Sequence, residues 1–216
     1  MAVSWASITL NYTIFWVVID MTALIFKAHQ GLSTAIDCSV LTPNMLEGKS
    51  LVQIQALRLT ATHTVADAFD VSGEDAQVIV IQNASSLLHH IGHQMREGSL
   101  TIEGDVGDFL GSQMQGGTII CKGNAGERVG DKMRRGLILV EGDVGEYCAS
   151  NMAAGTIGVL GKVGARVGYG MKRGTLLLAQ PPQLSATWLD CGLHSLPFLK
   201  ILYKSISNFN THFSAI

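Results

Sequence analysis

Three histidines in the pattern HHxxH, His89, His90 and His93, are the first residues in this chain that could do chemistry. An i, i+4 pair on a helix can hold a metal ion in the manner of zinc hydrolases. No glutamate lies between them, however, and the stretch falls in the first full copy of a repeat rather than on a long helix. Histidines satisfied within that coil are therefore favoured over a metal site. Cys191 and His194 lie close in sequence but lack a third orienting group, which disfavours a Cys/His nucleophile. The glycine pattern GxxGxxxG lies near the dinucleotide-binding fingerprint, yet that fingerprint sits once, between a strand and a helix. Here it recurs with no helix after it and no Lys-Ser/Thr pair, so corner glycines are favoured over a phosphate cradle.

Charge follows the same period. Arg96, Arg134, Arg135, Lys172 and Arg173 each come just after a methionine register, while Asp105, Asp108, Glu127, Asp143 and Glu146 lie near the first two glycines. Stacking would gather them into opposed stripes. One reading is solvated corners with alternating charge. The other is a docking edge or a groove for a polyanionic ligand, since guanidinium groups suit carboxylates.

The elements that must position these residues are set by a 19-residue period. Gly104, Gly123, Gly142 and Gly161 keep it, as do Gly107, Gly126, Gly145 and Gly164. So do Met95, Met114, Met133, Met152 and Met171, and Gly98, Gly117, Gly136, Gly155 and Gly174. A further register, Gly92, Gly111, Gly130 and Gly168, is broken only by Ala149. No segment between glycines is long enough for an ordinary helix, so each coil can bury its apolar side chains only by stacking on its neighbours. Leu100, Ile119, Ile138, Ile157 and Leu176 form one expected inward ladder. Ile102, Cys121, Val140, Val159 and Leu178 form a second, and Val106, Ala125, Val144 and Val163 a third. The methionines read as core filler. The fold class is all-β, a parallel β-helix.

Outside the repeat, residues 1–20 are apolar but lack a basic n-region and are too short to span a bilayer. They read as an extra extension, with Met21 as an alternative start. Residues 21–72 form a small α/β flap with strands in ALIFKA and TAIDCSVL and a short helix capped at Ser50. Residues 73–179 form the solenoid, opened by a degenerate coil at VSGEDAQVIVIQN. Residues 180–216 form a cap, with Phe198, Leu199, Leu202, Tyr203, Ile206 and Phe209 at helical spacing on a capping helix. Hydrophobic residues make up 47% of the chain, aromatics only 6%, and glycine reaches 24 residues, a balance that suits a solenoid with tight corners. A net charge of −2 gives no footprint for nucleic acid or an anionic membrane. Four scattered cysteines without a CxxC pair indicate free thiols and a cytoplasmic home.

The repeats GDVGDFLGSQMQGGTI, GNAGERVGDKMRRGLI and GDVGEYCASNMAAGTI carry a resemblance to a known family. LLHHIG precedes them, LTPNMLEGKSL lies further upstream, and DCGLHSLPFLK follows. Together these segments resemble the C-type subunit of formylmethanofuran dehydrogenase, and more closely the C-type subunit of the bacterial formyltransferase/hydrolase complex. The repeat alone is also similar to the right-handed β-helix at the C-terminus of the large glutamate synthase subunit. The resemblance covers roughly residues 22–203 and implies a right-handed β-helix.

It further implies a role in tetrahydromethanopterin-dependent one-carbon oxidation, in which a formyl group passes to a methanofuran-type carrier and leaves as formate. In that family the metal-dependent hydrolase centre belongs to the A-type subunit and formyl transfer to the D-type. The resemblance thus implies no catalytic residue, metal or cofactor on this chain, and A, B and D-type subunits as partners. The carrier's polyglutamate tail would suit the basic stripe. The alternatives are the equivalent subunit of a molybdenum or tungsten formylmethanofuran dehydrogenase and a glutamate synthase-like linking domain. The N-terminal extension is not part of the family pattern, and the ending at HFSAI comes earlier than that pattern leads one to expect.

Overall fold

The computed structural model describes residues 23–183, 197–207, 209 and 211–215. In chain order the strands and helices begin with β1 (Ala23–Ala28), β2 (Ile36–Asp37), α1 (Pro43–Leu46), α2 (Leu51–Gln55) and α3 (Val65–Ala68). There follow β3 (Phe69–Ser72), β4 (Asp75–Ala84), β5 (Leu88–His89), β6 (Ser99–Gly104), β7 (Thr118–Cys121), β8 (Leu137–Val140), β9 (Thr156–Val159) and β10 (Thr175–Leu178). The helix α4 (Pro197–Ile206) and a 3₁₀ turn at His212–Ala215 complete the described chain. The main sheet runs β10-β9-β8-β7-β6-β4-β1-β3, parallel throughout except for β3. This is a parallel β-solenoid.

The 19-residue period becomes register directly. Leu100 pairs with Ile119, Ile119 with Ile138, Ile138 with Ile157, and Ile157 with Leu176. The first two expected ladders are fully buried except at Leu176 and Leu178 in the last coil, and Val106, Ala125 and Val144 in the third are buried and bridged in parallel. Met95, Met114, Met133 and Met152 are each 0% exposed. Their terminal methyls add to the positive φ and the close backbone carbonyls of the preceding coil that reserve the strand-opening positions for glycine. A Cβ on Gly117, Gly136 or Gly155 would stand 2.8 Å from the Cε of the methionine one coil earlier.

Two features depart from the sequence reading. The sheet crosses the boundary drawn at residue 72, because β1 pairs in parallel with β4 and carries the ladders outward as Leu24–Ile79 and Phe26–Ile81. β2 likewise pairs with β5. The segment expected as a flap therefore contributes a coil of its own, with α2 capped as expected by a reciprocal Ser50–Gln53 box. The degenerate coil is present as a strand of the same sheet. Ile79 pairs with Leu100, beyond the 19-residue period, and the register shifts between Gln82 and Ala84, where Asn83 has φ 54°.

The second feature is the position of α4, which lies over the outer face of the sheet. Leu202, Ile206, Phe209 and Phe213 pack on Ile120, Leu139, Leu160 and Leu177, while Phe198 and Ile201 face outward at 45% and 75% exposure. Phe213 is seated where the outer row of strand side chains has a glycine. A Cβ on Gly158 would come within 2.8 Å of the Phe213 ring. Glu141 fixes the same segment, accepting from the His212 backbone N–H at 2.8 Å and meeting Nδ1 at 2.6 Å.

The single break in the glycine register has a steric partner. A Cβ on Gly92, Gly111 or Gly130 would meet the Cδ1 of Ile119, Ile138 or Ile157 at 2.3–2.4 Å. Ala149 carries such a Cβ, at φ 61°, and the residue at the matching offset is leucine, Leu176. Leu176→Ile is expected to cost about 1–3 kcal/mol through overpacking. In an Ala149→Gly background the same change should cost almost nothing, a coupling that chemical denaturation of the four-variant cycle will measure.

Candidate functional site

The basic corner is built by backbone hydrogen bonds between coils. Residues just after each methionine donate their N–H to the methionine carbonyl of the coil before, as Arg134 does to Met114 and Lys172 to Met152, at 2.8 and 2.9 Å. That register aligns Arg96, Gln115, Arg134, Ala153 and Lys172 in one row, with Arg135 and Arg173 in the next. All five predicted basic residues are exposed. Among the described residues none has a carboxylate in ion-pair range, and Arg173 Nε donates to the Ala153 carbonyl at 3.0 Å. Charged coils alternate with uncharged ones, so like charges within one row stand about 10 Å apart at the usual strand spacing, while Arg134–Arg135 and Lys172–Arg173 are sequence neighbours. Within a row the repulsion in water is then only about 0.4 kcal/mol per pair, and salt screens it further. Repulsion between coils is therefore only a small cost to the fold.

The acidic residues lie at corners beyond the other end of the strands, and most serve the stacking. Asp105 Oδ1 accepts from the Asn124 N–H at 2.7 Å, Asn124 Oδ1 from the Asp143 N–H at 2.8 Å, and Asp143 Oδ1 from the Lys162 N–H at 2.7 Å. Asp108 Oδ1 accepts from the Glu127 N–H at 2.8 Å. Glu146 pairs with Arg166 at 2.8 Å. The stripe seen in the sequence is thus a chain of side-chain-to-backbone staples between coils.

Two of the three histidines meet, the His90 and His93 rings standing edge to face with centroids 5.9 Å apart, but each of the three has a different partner in the stack. His89 Nδ1 accepts from the Asp108 N–H at 3.0 Å, so its 3.7 Å approach to the Asp108 carboxylate is not a bond through that nitrogen. His90 stacks on Phe109, and His93 Nδ1 meets Ser112 Oγ at 2.7 Å. Among the described residues no group of three or more His, Cys, Asp or Glu is placed to hold a metal ion. Cys191 and His194 lie outside the described residues, as does the extension 1–20.

His93 opens a row that sequence reasoning missed. His93, Ser112, Asp131 and Ser150 occupy one register. Ser112, Asp131 and Ser150 are at most 6% exposed, and Ser150 Oγ donates to Asp131 Oδ1 at 2.6 Å. These are hydrolase residue types in the wrong order, since the carboxylate binds a second serine and the histidine binds the first. Comparing polar residues by register, rather than glycines alone, would have found the row. Neither described cleft reaches the basic corner. The larger, about 530 Å³, is lined by Leu176, Leu177, Leu178, Tyr203 and Phe213, and the smaller, about 330 Å³, lies beside α2.

Burial, followed by the charge of His90, holds the His93 imidazole below its ordinary value of 6.5. The native chain then binds fewer protons than the unfolded one below that value, so this stability is present above pH 6.5 and lost as pH falls through the lowered value. Denaturant titrations are expected to show stability falling from pH 7.5 to 5.5, with a shallower fall in His93→Gln. Burial also pushes the Cys121 and Cys148 thiols up to about 12, and Cys38 upward too. At pH 8 these three should react with a thiol reagent more than about a hundredfold slower in the folded than in the unfolded chain.

No protein-family model matches the chain. An 82-residue stretch is 30% identical to the C-type subunit of the formyltransferase/hydrolase complex Fhc of Methylorubrum extorquens. That match covers 37% of this chain and spans about a third, 31%, of the relative's length. In fold, a chain from the X-ray crystal structure of the formyltransferase/hydrolase complex FhcABCD of Methylorubrum extorquens, in complex with methylofuran, is similar with a TM-score of 0.62. The identity there is 26%, over 88% of this chain and 90% of that one. Sequence and fold point the same way: this chain is a parallel β-solenoid similar to the C-type subunit of the formyltransferase/hydrolase complex.

Proposed function

We propose that the chain is a non-catalytic scaffold, the equivalent of the C-type subunit in a formyltransferase/hydrolase complex working in tetrahydromethanopterin- and methanofuran-dependent one-carbon oxidation in the cytoplasm. The observation that carries this reading is the agreement of a sequence similarity over 82 residues with a fold similarity over 88% of the chain. The commitment of the acids and histidines supports it: Asp105, Asp108 and Asp143 staple coil to coil, and His89 and His93 are held within their own stack. Partners of the A, B and D types would then supply the metals and bind the pterin and the carrier. Among the described residues no helix is long and apolar enough to cross a membrane.

The basic corner takes a place in the same reading. Arg96, Arg134, Arg135, Lys172 and Arg173 form an exposed row of cations without carboxylate partners, suited to an extended chain of carboxylates such as a polyglutamate tail on the carrier. Spacing of about 10 Å matches every third residue of an extended peptide.

The test is affinity purification of the tagged full chain from its host, with mass spectrometry and a formyltransferase assay of the eluate and of the chain alone. A, B and D-type subunits should co-purify, and turnover should belong to the assembly only. Turnover by the isolated chain would end the scaffold reading. In the assembly, an Arg134→Glu, Arg173→Glu double variant is expected to bind a synthetic polyglutamate peptide roughly tenfold more weakly at low salt, a difference that should shrink at high salt.

A further inference from the structure

Between Ser85 and Ala179 the chain has three aromatic residues of the Phe, Tyr and Trp types, Phe109, Tyr147 and Tyr169. All three lie at one outer corner of the solenoid. Phe109 and Tyr147 belong to a register with His90, Arg128 and Arg166, and every residue of that register is left-handed, with φ between 57° and 64°. Two residues further on, the same backbone region is filled by glycine in four coils of five. A side chain in that conformation costs about 1 kcal/mol relative to glycine, and more when it is bulky. Large side chains stand here where the backbone alone would favour none. Gln94, Gln113, Lys132 and Asn151, four residues further on, are left-handed too, so it is the bulk and chemistry of the side chains, rather than the conformation, that set this corner apart.

The side chains stack from coil to coil. His90 lies flat on Phe109 with ring centroids 4.8 Å apart and planes within 5°. The Arg128 guanidinium sits between two rings, 5.9 Å from the Phe109 centroid and 4.6 Å from that of Tyr147. Arg166 covers the other side of Tyr147 at 5.1 Å, and Tyr169, 62% exposed, meets Tyr147 edge-on. The two arginines differ in one respect. Arg166 is spent on Glu146, whereas the half-buried Arg128 guanidinium makes no hydrogen bond or ion pair among the described residues. Its plane is fixed by aromatic rings while its donors remain free. That is an oriented fork for one carboxylate, ringed by the residue types that dominate protein interfaces.

Resting on the scaffold reading, we infer that this corner docks a partner subunit, which inserts an aspartate or glutamate side chain at Arg128 while its neighbouring surface covers Phe109, Tyr147 and Tyr169. A protein is favoured over a free polyanion by the adjacent row of Asp108, Glu127 and Glu146, which repels a run of negative charge but tolerates a single acid set among basic or neutral groups. Glu127, exposed and outside any described ion pair, is the site for a cation from the same partner.

The experiment co-expresses the full chain with the A, B and D-type subunits and measures assembly by size-exclusion chromatography and equilibrium binding. Arg128→Gly removes the side chain while relieving the left-handed backbone, so its folding is expected to match the wild type. It should bind its partner subunit at least about tenfold more weakly, with Arg128→Glu weaker still and Arg128→Lys between it and the wild type. Arg58→Glu, an exposed charge reversal elsewhere, should assemble normally. Wild-type assembly by folded Arg128→Gly and Arg128→Glu chains would overturn the docking inference and leave the scaffold reading standing. Failure of the wild-type chain to capture any of the three subunits would end both. A polyglutamate peptide that binds the isolated chain and loses affinity in Arg128→Glu would replace the protein partner with a polyanion and overturn the inference.

Discussion

Each coil of this solenoid hydrogen-bonds to the next through its backbone, and two stacked coils can do so along their whole length only if they follow the same path. The bonds run well beyond the strands: from the His90 N–H to the Asp108 carbonyl, from Phe109 to Glu127, from Arg128 to Glu146, and in parallel at the methionine corner. A change of path in one coil would leave donors and acceptors of both neighbours unpaired in a largely buried stack, at about 1–3 kcal/mol for each group. The backbone is therefore copied more strictly than the residues. Positive-φ conformations recur at four offsets in each coil, one of them always glycine and the others filled by residues as different as glycine, glutamine, arginine and tyrosine.

That constraint decides what a side chain can be at each register. Where the left-handed residue points into the stack, its Cβ competes with an isoleucine in a neighbouring coil, and glycine holds the position in every coil but that of Ala149. Where it points outward, nothing competes and residues are free to vary, which is why the aromatic and arginine corner exists at all. Asp and Asn at the corner after each strand turn the same copying to advantage. Each carboxylate or amide reaches the backbone N–H of the next coil, so a fixed repeat distance makes one short polar side chain per coil sufficient.

The period, the inward ladders, the methionine core and the alignment of the basic residues were legible in the sequence, because all of them follow from one repeat length. What escaped is what the period does not encode. ALIFKA reads equally well as part of a separate flap or as a strand of the main sheet, since alternation specifies a strand and not its neighbour; only Leu24 lying beside Ile79 settles the matter. The helical spacing of Leu202, Ile206 and Phe209 foretold a helix with one apolar side, expected to cap the end of the solenoid, whereas it packs on the outer face of the sheet. The signal was Gly158, the one outer strand position without a side chain, and it has meaning only once Phe213 is seen on it. The left-handed arginine and aromatic register escaped for a deeper reason. Arg128 and Phe109 are not residues that announce such a conformation, so their strain is visible only in the backbone.

The outer surface is consequently divided by prior commitments. The chain's own C-terminal segment takes the sheet face, with Phe213 in the gap at Gly158 and Glu141 holding His212. The staples take much of the acidic corner. Two rows of cations are left with free donors, and they differ in kind. Those after the methionines are exposed and have no carboxylate in ion-pair range among the described residues, an arrangement with little geometric selection. Arg128 is a single guanidinium clamped between rings, which sacrifices flexibility for direction and so selects geometry over net charge. A rigid stack can carry both because coil copying fixes the spacing within each independently of the side chains that it presents.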